Sequence, residues 1–131
     1  MEEALHDRLI ADAAVGPLIG DRAAWGERIE AESLPALVLN RVTAGRDYDH
    51  DGNDGLQTPI IQIDCLGSSY IAARALACKV IDAVEPAATE GGIEFGQSFL
   101  QADRDMDPVD LPGGERAFRV SLDFLIFYKE L

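Results

Sequence analysis

The segment DYDHDG at residues 47–52 alternates acidic side chains with other residues and ends on a glycine. This is the opening of a calcium-binding loop, in which Asp47, Asp49 and Asp51 would supply oxygen ligands. The pattern then fails, because the twelfth position of the loop is Thr58, where a calcium loop requires a bidentate glutamate. A turn rich in Gly and Asp produces the same string. We therefore predict no metal and no cofactor, and we keep a calcium-binding module on these three aspartates as the less favoured alternative.

Other residues that could support catalysis are scattered along the chain. Asp64 and Asp123 lie in predicted strands and could pair as acid and base, but polar positions on a half-exposed sheet explain them better. Neither His6 nor His50 has a spacing that suggests a base next to a nucleophile. The sequence thus predicts a protein that is not an enzyme. The alternative is a cytosolic ligand-binding or enzymatic α+β domain, which a concave pocket with convergent polar groups would reveal.

The composition limits the partners that the protein can have. Its 131 residues are 47% hydrophobic, enough for one globular domain, and 24 acidic against 11 basic residues give a net charge of −13. This charge repels a phosphate backbone and anionic lipid, so we predict neither specific nucleic-acid binding nor a membrane. An acidic wall would still suit a channel through which DNA slides. We interpret Cys65 and Cys78 as small buried side chains in a reducing compartment.

The periodicity of apolar residues predicts an α+β fold with the order α-ββ-α-ββ. Two main helices pack on a mixed sheet of four or five strands in a single domain, residues 1–131. The first helix ends at Gly16-Pro17 and the second begins at a Ser68 or Ser69 N-cap and stops at Pro86. Residues 17–33 are left open, with an edge strand or a loop at residues 25–30. The predicted helices cover residues 2–14 and about 69–85, and the strands cover residues 36–43, 58–66, 93–102 and 116–128.

Two connections are longer than ordinary hairpin loops and are rich in acidic residues. Loops of this length in a small domain are usually functional or disordered, so we expect docking residues in both. If the second and third strands run parallel, the loops emerge from opposite ends of the sheet and form two acidic poles. The docking candidates are Tyr48, Asp49, Asp51 and Asp54 in residues 44–57, and Asp105 and Asp107 in residues 103–115.

The last predicted strand alternates apolar and polar residues until its end, where Leu125 and Phe127 join Phe124 and Ile126. Such a stretch is apolar on both faces, so both faces need to be covered. We therefore add Leu125 and Phe127 to the expected interface residues.

Four segments together resemble the small tail-completion, or tail-terminator, proteins of long-tailed bacteriophages and gene transfer agents. They cover most of the chain in the same order: LIADAAVGPLIGDR, LPALVLNRV, TPIIQIDCLGSSYIAARALACKVIDAV and RAFRVSLDFLIFYKEL. The residues that best carry the resemblance are Gln62, Asp64, Cys65, Tyr70 and the stretch 123–128. Leu66 departs from the pattern, because relatives often have Trp after this Cys.

The resemblance implies a structural protein of the virion tail, at its head-proximal end, assembled in the cytoplasm of a bacterial host. Such proteins form a homo-oligomeric ring, commonly a hexamer, that ends the tail tube. The implied partners are other copies of the chain, the tail tube protein and a head connector or stopper protein. DNA passes through the lumen without specific binding.

Overall fold

The computed structural model describes residues 1–26, 34–43, 46–49, 52–111 and 114–131, and for residues 46–49 and 52–55 it describes the backbone alone. Within these residues the chain forms three helices and two five-stranded sheets. The predicted α+β class is confirmed, with helices packed on one mixed sheet. The second sheet was not predicted. The helices are α1 (Glu2–Ala11), α2 (Gly16–Ile19) and α3 (Tyr70–Val84).

The main sheet comprises β1 (Ala23–Trp25), β2 (Ala36–Arg41), β5 (Ile60–Gly67), β9 (Arg116–Leu125) and β8 (Phe99–Asp110), in that spatial order. The sheet is mixed, because β1 is parallel to β2 and the other neighbours are antiparallel. β5 and β8 run in the same direction with β9 between them. The connections before β5 and after β8 therefore lie at opposite ends of the sheet.

The second sheet comprises β3 (Arg46–Asp49), β4 (Gly52–Gln57), β10 (Tyr128–Glu130), β7 (Ile93–Phe95) and β6 (Ala88–Glu90), in that spatial order and all antiparallel. The prediction of a long loop at residues 44–57 was wrong, since this segment contains the β3–β4 hairpin. Pairing with β10 gives the second strand of the hairpin its backbone partners, and the Tyr128 hydroxyl donates to Gln57 Oε1 at 2.8 Å.

The hydrophobic core lies between the main sheet and the helices. Leu9 of α1 and Leu76 of α3 pack with Ile63, Leu122 and Phe124 of the central strands, and all five are fully buried. Burying a side chain of this size contributes about 1.5–3 kcal/mol. The alternation of the last strand was thus interpreted correctly up to Phe124.

The first helix, predicted over residues 2–14, ends earlier at Asp12. The Asp12 carboxylate accepts hydrogen bonds from the backbone N–H groups of Ala14 and Val15, each at 2.9 Å, and so competes with helical hydrogen bonds. Gly16-Pro17 does not end the helix as predicted. It begins α2, where proline is tolerated because the first-turn N–H has no helical partner.

The second main helix begins and ends where the sequence indicates. Ser69 is its N-cap, and the Ser69 hydroxyl accepts a hydrogen bond from the backbone N–H of Ala72 at 3.1 Å. The helix ends at Val84, and a single residue, Glu85, separates it from Pro86.

The region left open in the sequence, residues 17–33, contains α2 and β1, and residues 27–33 lie outside the described part of the chain. Two hydrogen bonds between α1 and β1 hold the strand in place. His6 Nε2 lies 2.9 Å from the carbonyl oxygen of Ala23, and Trp25 Nε1 donates to the carbonyl oxygen of Glu2 at 3.0 Å. The short edge strand therefore depends on the first helix.

Two predicted strands change sheets near their ends. The strand predicted over residues 93–102 is divided into β7 and β8, and the strand predicted over residues 116–128 is divided into β9 and β10. The two crossings lie side by side, since the N–H of Gly96 donates to the carbonyl oxygen of Phe127 at 2.8 Å. The stretch that is apolar on both faces is thus where the chain passes from one sheet to the other.

Candidate interaction surfaces

The acidic segment at residues 103–110 is an edge strand of the main sheet. It was predicted as a loop, but its backbone pairs with β9 from Phe99 to Asp110, with irregularities after Leu100 and after Met106. Charges, proline and bulges are typical protections of an edge strand against unwanted pairing. This explains why so polar a segment is a strand. Its acidic residues are spread along the edge of the sheet, so they do not form the loop at one end that the sequence predicted.

Helix α3 neutralises part of this acidic edge. Arg74 Nη1 donates to both carboxylate oxygens of Asp103 at 2.8 Å, Nη2 donates to Asp105, and the Tyr70 hydroxyl donates to Asp105 at 3.0 Å. The hydrogen bonds to Asp103 and then Asp105 raise the pKa of Arg74. Asp105, a predicted docking residue, is therefore bound within its own chain, whereas no such contact is found for Asp107 in the described residues.

The face of the main sheet opposite the helices carries balanced charge. Register and alternation place Asp64 and Asp123 there together with Arg104 and Arg119. Asp64 accepts a hydrogen bond from Gln62 at 3.1 Å, and Arg104 pairs with Asp123 at 3.1 Å. Each carboxylate is bound to a neighbour, as expected for polar positions of a sheet, although Asp64 is buried and not half-exposed.

A partly exposed apolar surface lies at one end of this open face, and we call it the apolar end. Three of its four residues are half-buried, namely Ile60, Leu125 and Phe127. Ile60, Leu125 and Phe99 are aligned across β5, β9 and β8. The ring of Phe127 meets that of Phe99 edge to face, with centroids 5.9 Å apart. Phe99 is 48% exposed. The structure brings the predicted Leu125 and Phe127 together, and it adds Ile60 and Phe99, which the sequence analysis missed.

A signal for the two missed residues is present in the sequence. Residues 55–63, 95–102 and 124–128 contain no charged side chain, although 27% of the chain is charged. These three segments converge at the apolar end. The periodicity of apolar residues alone could not identify the apolar end, because each of the three segments also contributes apolar residues to the core from its other face.

The predicted ligands and docking residues of the first acidic segment lie at the edge of the second sheet. Asp47, Tyr48 and Asp49 belong to β3 and Asp54 to β4, while Asp51 lies outside the described residues. Among the residues whose side chains are described, no group of three potential ligands could hold a metal ion. The docking role of the hairpin stays a prediction.

Two open clefts are present on the described surface. One, of about 270 Å³, is lined by Glu3 and Asp7, and the other, of about 360 Å³, is lined by Ser68, Glu115 and Arg116. No hydrogen bond joins Ser68 to Glu115 or Arg116 in the described residues, so the second cleft does not hold a hydroxyl nucleophile against a base. No described helix is long and apolar enough to cross a membrane.

The two cysteines differ in exposure. Cys65 is buried, as predicted, but Cys78 is exposed on α3, so its interpretation as a buried side chain was wrong. Burial, together with the nearby Asp64 and Asp103, raises the pKa of the Cys65 thiol. The thiol at position 65 is therefore protonated and inert inside the fold.

An apolar surface beside charged residues, as in the apolar end, is typical of a protein that contacts other proteins. A family model described as "Tail completion protein gp17" matches residues 3–129. The chain therefore belongs to the family of tail completion proteins, and it is a structural protein of the virion tail, not an enzyme. The resemblance seen in the sequence is thus confirmed.

One similar solved structure is described as "Virion of native gene transfer agent (GTA) particle". The likeness covers 98% of this chain and 94% of that chain, with a TM-score of 0.69 and 16% sequence identity. At this identity the likeness establishes the fold. No curated protein matches the chain by sequence.

Proposed function

We propose that copies of this protein form a closed ring on the last layer of the tail tube, stop its growth and join the tail to a head connector or stopper protein. The observation that carries the ring is the apolar end. A contiguous apolar surface at a sheet junction is costly to expose and is typical of a protein interface. Tail completion is the role of the family, and the resemblance implies a hexamer.

The two ends of the main sheet suit two different neighbours. The β3–β4 hairpin follows β2 and precedes β5, so it projects near one end of the sheet, and the tip of the β8–β9 hairpin lies at the other end. We propose that one end contacts the tail tube and the other the connector. Asp49, Asp51 and Asp54 would act at the first end with Tyr48, and Asp107 at the second.

The net charge of −13 supports passage of DNA through the lumen of the ring. Because the wall of the lumen and the phosphate backbone of the DNA would both be negatively charged, the DNA would not bind to the wall and could slide through.

Measuring the mass of the purified protein in solution, with and without tail tube protein, tests the ring. We expect a discrete oligomer, formed either alone or on the tube end. A chain that stays monomeric in both conditions would refute the proposal.

A shortened hairpin tests docking separately. Residues 47–54 would be replaced by Asn-Gly, which keeps Leu56 and Gln57 paired with β10. Because the pairing is kept, the domain should fold, while tails in the host should be overlong or unattached to heads by electron microscopy. Normal tails joined to heads would eliminate the docking role of the hairpin.

A further inference from the structure

A second exposed apolar residue lies far from the apolar end. Ile71, in the first turn of α3, is 78% exposed, the largest exposure of any large hydrophobic side chain in the described residues. We propose that, in the ring, Ile71 of one copy packs on the apolar end of the next copy. This inference rests on the proposed ring and names the two surfaces that close it.

The charge distribution favours a second copy as the partner. Two copies of net charge −13 repel each other wherever their acidic surfaces meet. Ile71 lies in residues 65–73, which contain no charged side chain, and the apolar end is formed from three more such segments. The adjoining open face carries two carboxylates and two guanidinium groups. The acidic edge beside α3 is partly neutralised, because Arg74 binds Asp103 and Asp105, and this reduces the repulsion between the two surfaces.

The positions of the two surfaces determine the type of contact. Ile60 begins β5 and Ile71 follows shortly after its end, so the surfaces are separated by the length of the strand, roughly 23 Å. They also lie on opposite faces of the sheet, because α3 covers the face that the apolar end does not occupy. One neighbour cannot contact both surfaces at once. The contact is thus heterologous, the kind that generates rings.

Tyr70 precedes Ile71 at the start of α3 and is the second exposed apolar residue there. It is 46% exposed while its hydroxyl is bound to Asp105, so its side chain is held in a fixed position. Rigid aromatic groups around a central apolar residue are typical of interface hot spots. The edge-to-face pair of Phe99 and Phe127 is the corresponding rigid group on the other copy.

Two variants that each remove one surface test the proposal. Ile71→Glu and Phe99→Glu should both fold, since both side chains are exposed, and circular dichroism and melting verify this. Each variant alone should associate roughly 30-fold or more weakly than the wild type by analytical ultracentrifugation. Leu131→Glu is the control, because Leu131 is 76% exposed but belongs to neither surface, and it should assemble normally.

Mixing the two variants distinguishes a heterologous contact from other modes of assembly. The Ile71→Glu copy retains its apolar end and the Phe99→Glu copy retains Ile71, so one functional contact remains. An equimolar mixture should form a one-to-one dimer and nothing larger. A mixture that stays monomeric, or either variant assembling like the wild type, would overturn the proposal.

Cysteine crosslinking provides a second measurement, because oxidation at high protein concentration traps the contact covalently even though the two substitutions weaken it. In a Cys78→Ser background, a chain with Ile71→Cys and Phe99→Cys should oxidise into a ladder whose largest member counts the subunits of the ring. The chain with Ile71→Cys alone should not crosslink. If wild-type rings form and no ladder appears, this inference fails and the ring stands. If the wild type never assembles, with or without tail tube protein, both fail.

Discussion

Arg74 and Asp103 connect the second turn of α3 to the edge of the main sheet, with Arg74 Nη1 2.8 Å from each carboxylate oxygen of Asp103. The side chains are 30% and 34% exposed, so the pair is partly screened by solvent. Its position matters more than its strength, because it fixes the helix that carries Ile71 against the strand that carries Phe99.

Replacing Arg74 by Ala should lower the free energy of unfolding by about 1 kcal/mol, a modest loss expected for a partly exposed ion pair. The variant also leaves Asp103 and Asp105 to repel each other. Urea unfolding measures the loss, and added salt should recover part of it. Arg74→Lys is the control: it keeps the charge but cannot donate in the same forked geometry, so an intermediate loss is expected.

Phe124→Ala should cost about 3–5 kcal/mol, because Phe124 is fully buried and its removal leaves a cavity. Phe99→Ala is the matched control on the neighbouring strand, and its cost should be below about 1 kcal/mol since Phe99 is half exposed. Denaturant titration compares them. A near-native midpoint for the first variant would show that Phe124 is not part of the core.

Truncation after Asp123 should abolish folding altogether, because it removes Phe124, Ile126 and β10.

The sequence predicted the elements whose pattern is local and missed those that depend on pairing. Ser69 and Pro86 mark the ends of α3 by their own chemistry, and alternation identifies β5 and β9. The segment with Asp103, Asp105 and Asp107 looks like a loop because strand propensity is low there, yet β9 and Arg74 supply partners from distant positions. Two of the four residues of the apolar end were predicted. Leu125 and Phe127 violate the alternating pattern of their own strand, which the sequence shows. Ile60 and Phe99 become their neighbours only through the pairing of the strands, which the sequence does not show.

Gly67 joins β5 to α3 at a close approach, and this gives another expectation. A Cβ at this position would lie 2.6 Å from the backbone nitrogen of Ala73 and 3.1 Å from the carbonyl carbon of Ala72. Gly67→Ala should therefore shift the first turn of α3 and cost roughly 1–3 kcal/mol. Gly96→Ala is the control, because its added Cβ would meet Phe127 at an ordinary 3.4 Å. Equal melting temperatures for the two variants would contradict this account.

The two thiols should react at very different rates. Cys78 is exposed and should react with a disulfide reagent in the native protein, whereas Cys65 is buried with a raised pKa and should react only after unfolding. A thiol titration of the Cys78→Ser variant, in buffer and in guanidinium chloride, measures this. Fast reaction of that variant in buffer would show that the central sheet opens.

Association of copies should strengthen from low to moderate salt, because each copy brings a net charge of −13 to the ring. Millimolar Mg²⁺ and Ca²⁺ should act alike, by screening. Sedimentation across a salt series measures this. Strict selectivity for Ca²⁺ would favour a true site at Asp47, Asp49 and Asp51, and steady weakening with salt would show that attractive ion pairs dominate the contact.

The paired crossings between the sheets have a mechanical consequence. Gly96 and Phe127 are joined where both chains pass from one sheet to the other, and Phe127 is also part of the apolar end. The second sheet, which contains the β3–β4 hairpin, cannot tilt against the main sheet without moving Phe127 relative to Phe99. A force applied to the hairpin is thus transmitted to the surface proposed to hold the next subunit, which couples what happens along the tail axis to what happens around its circumference.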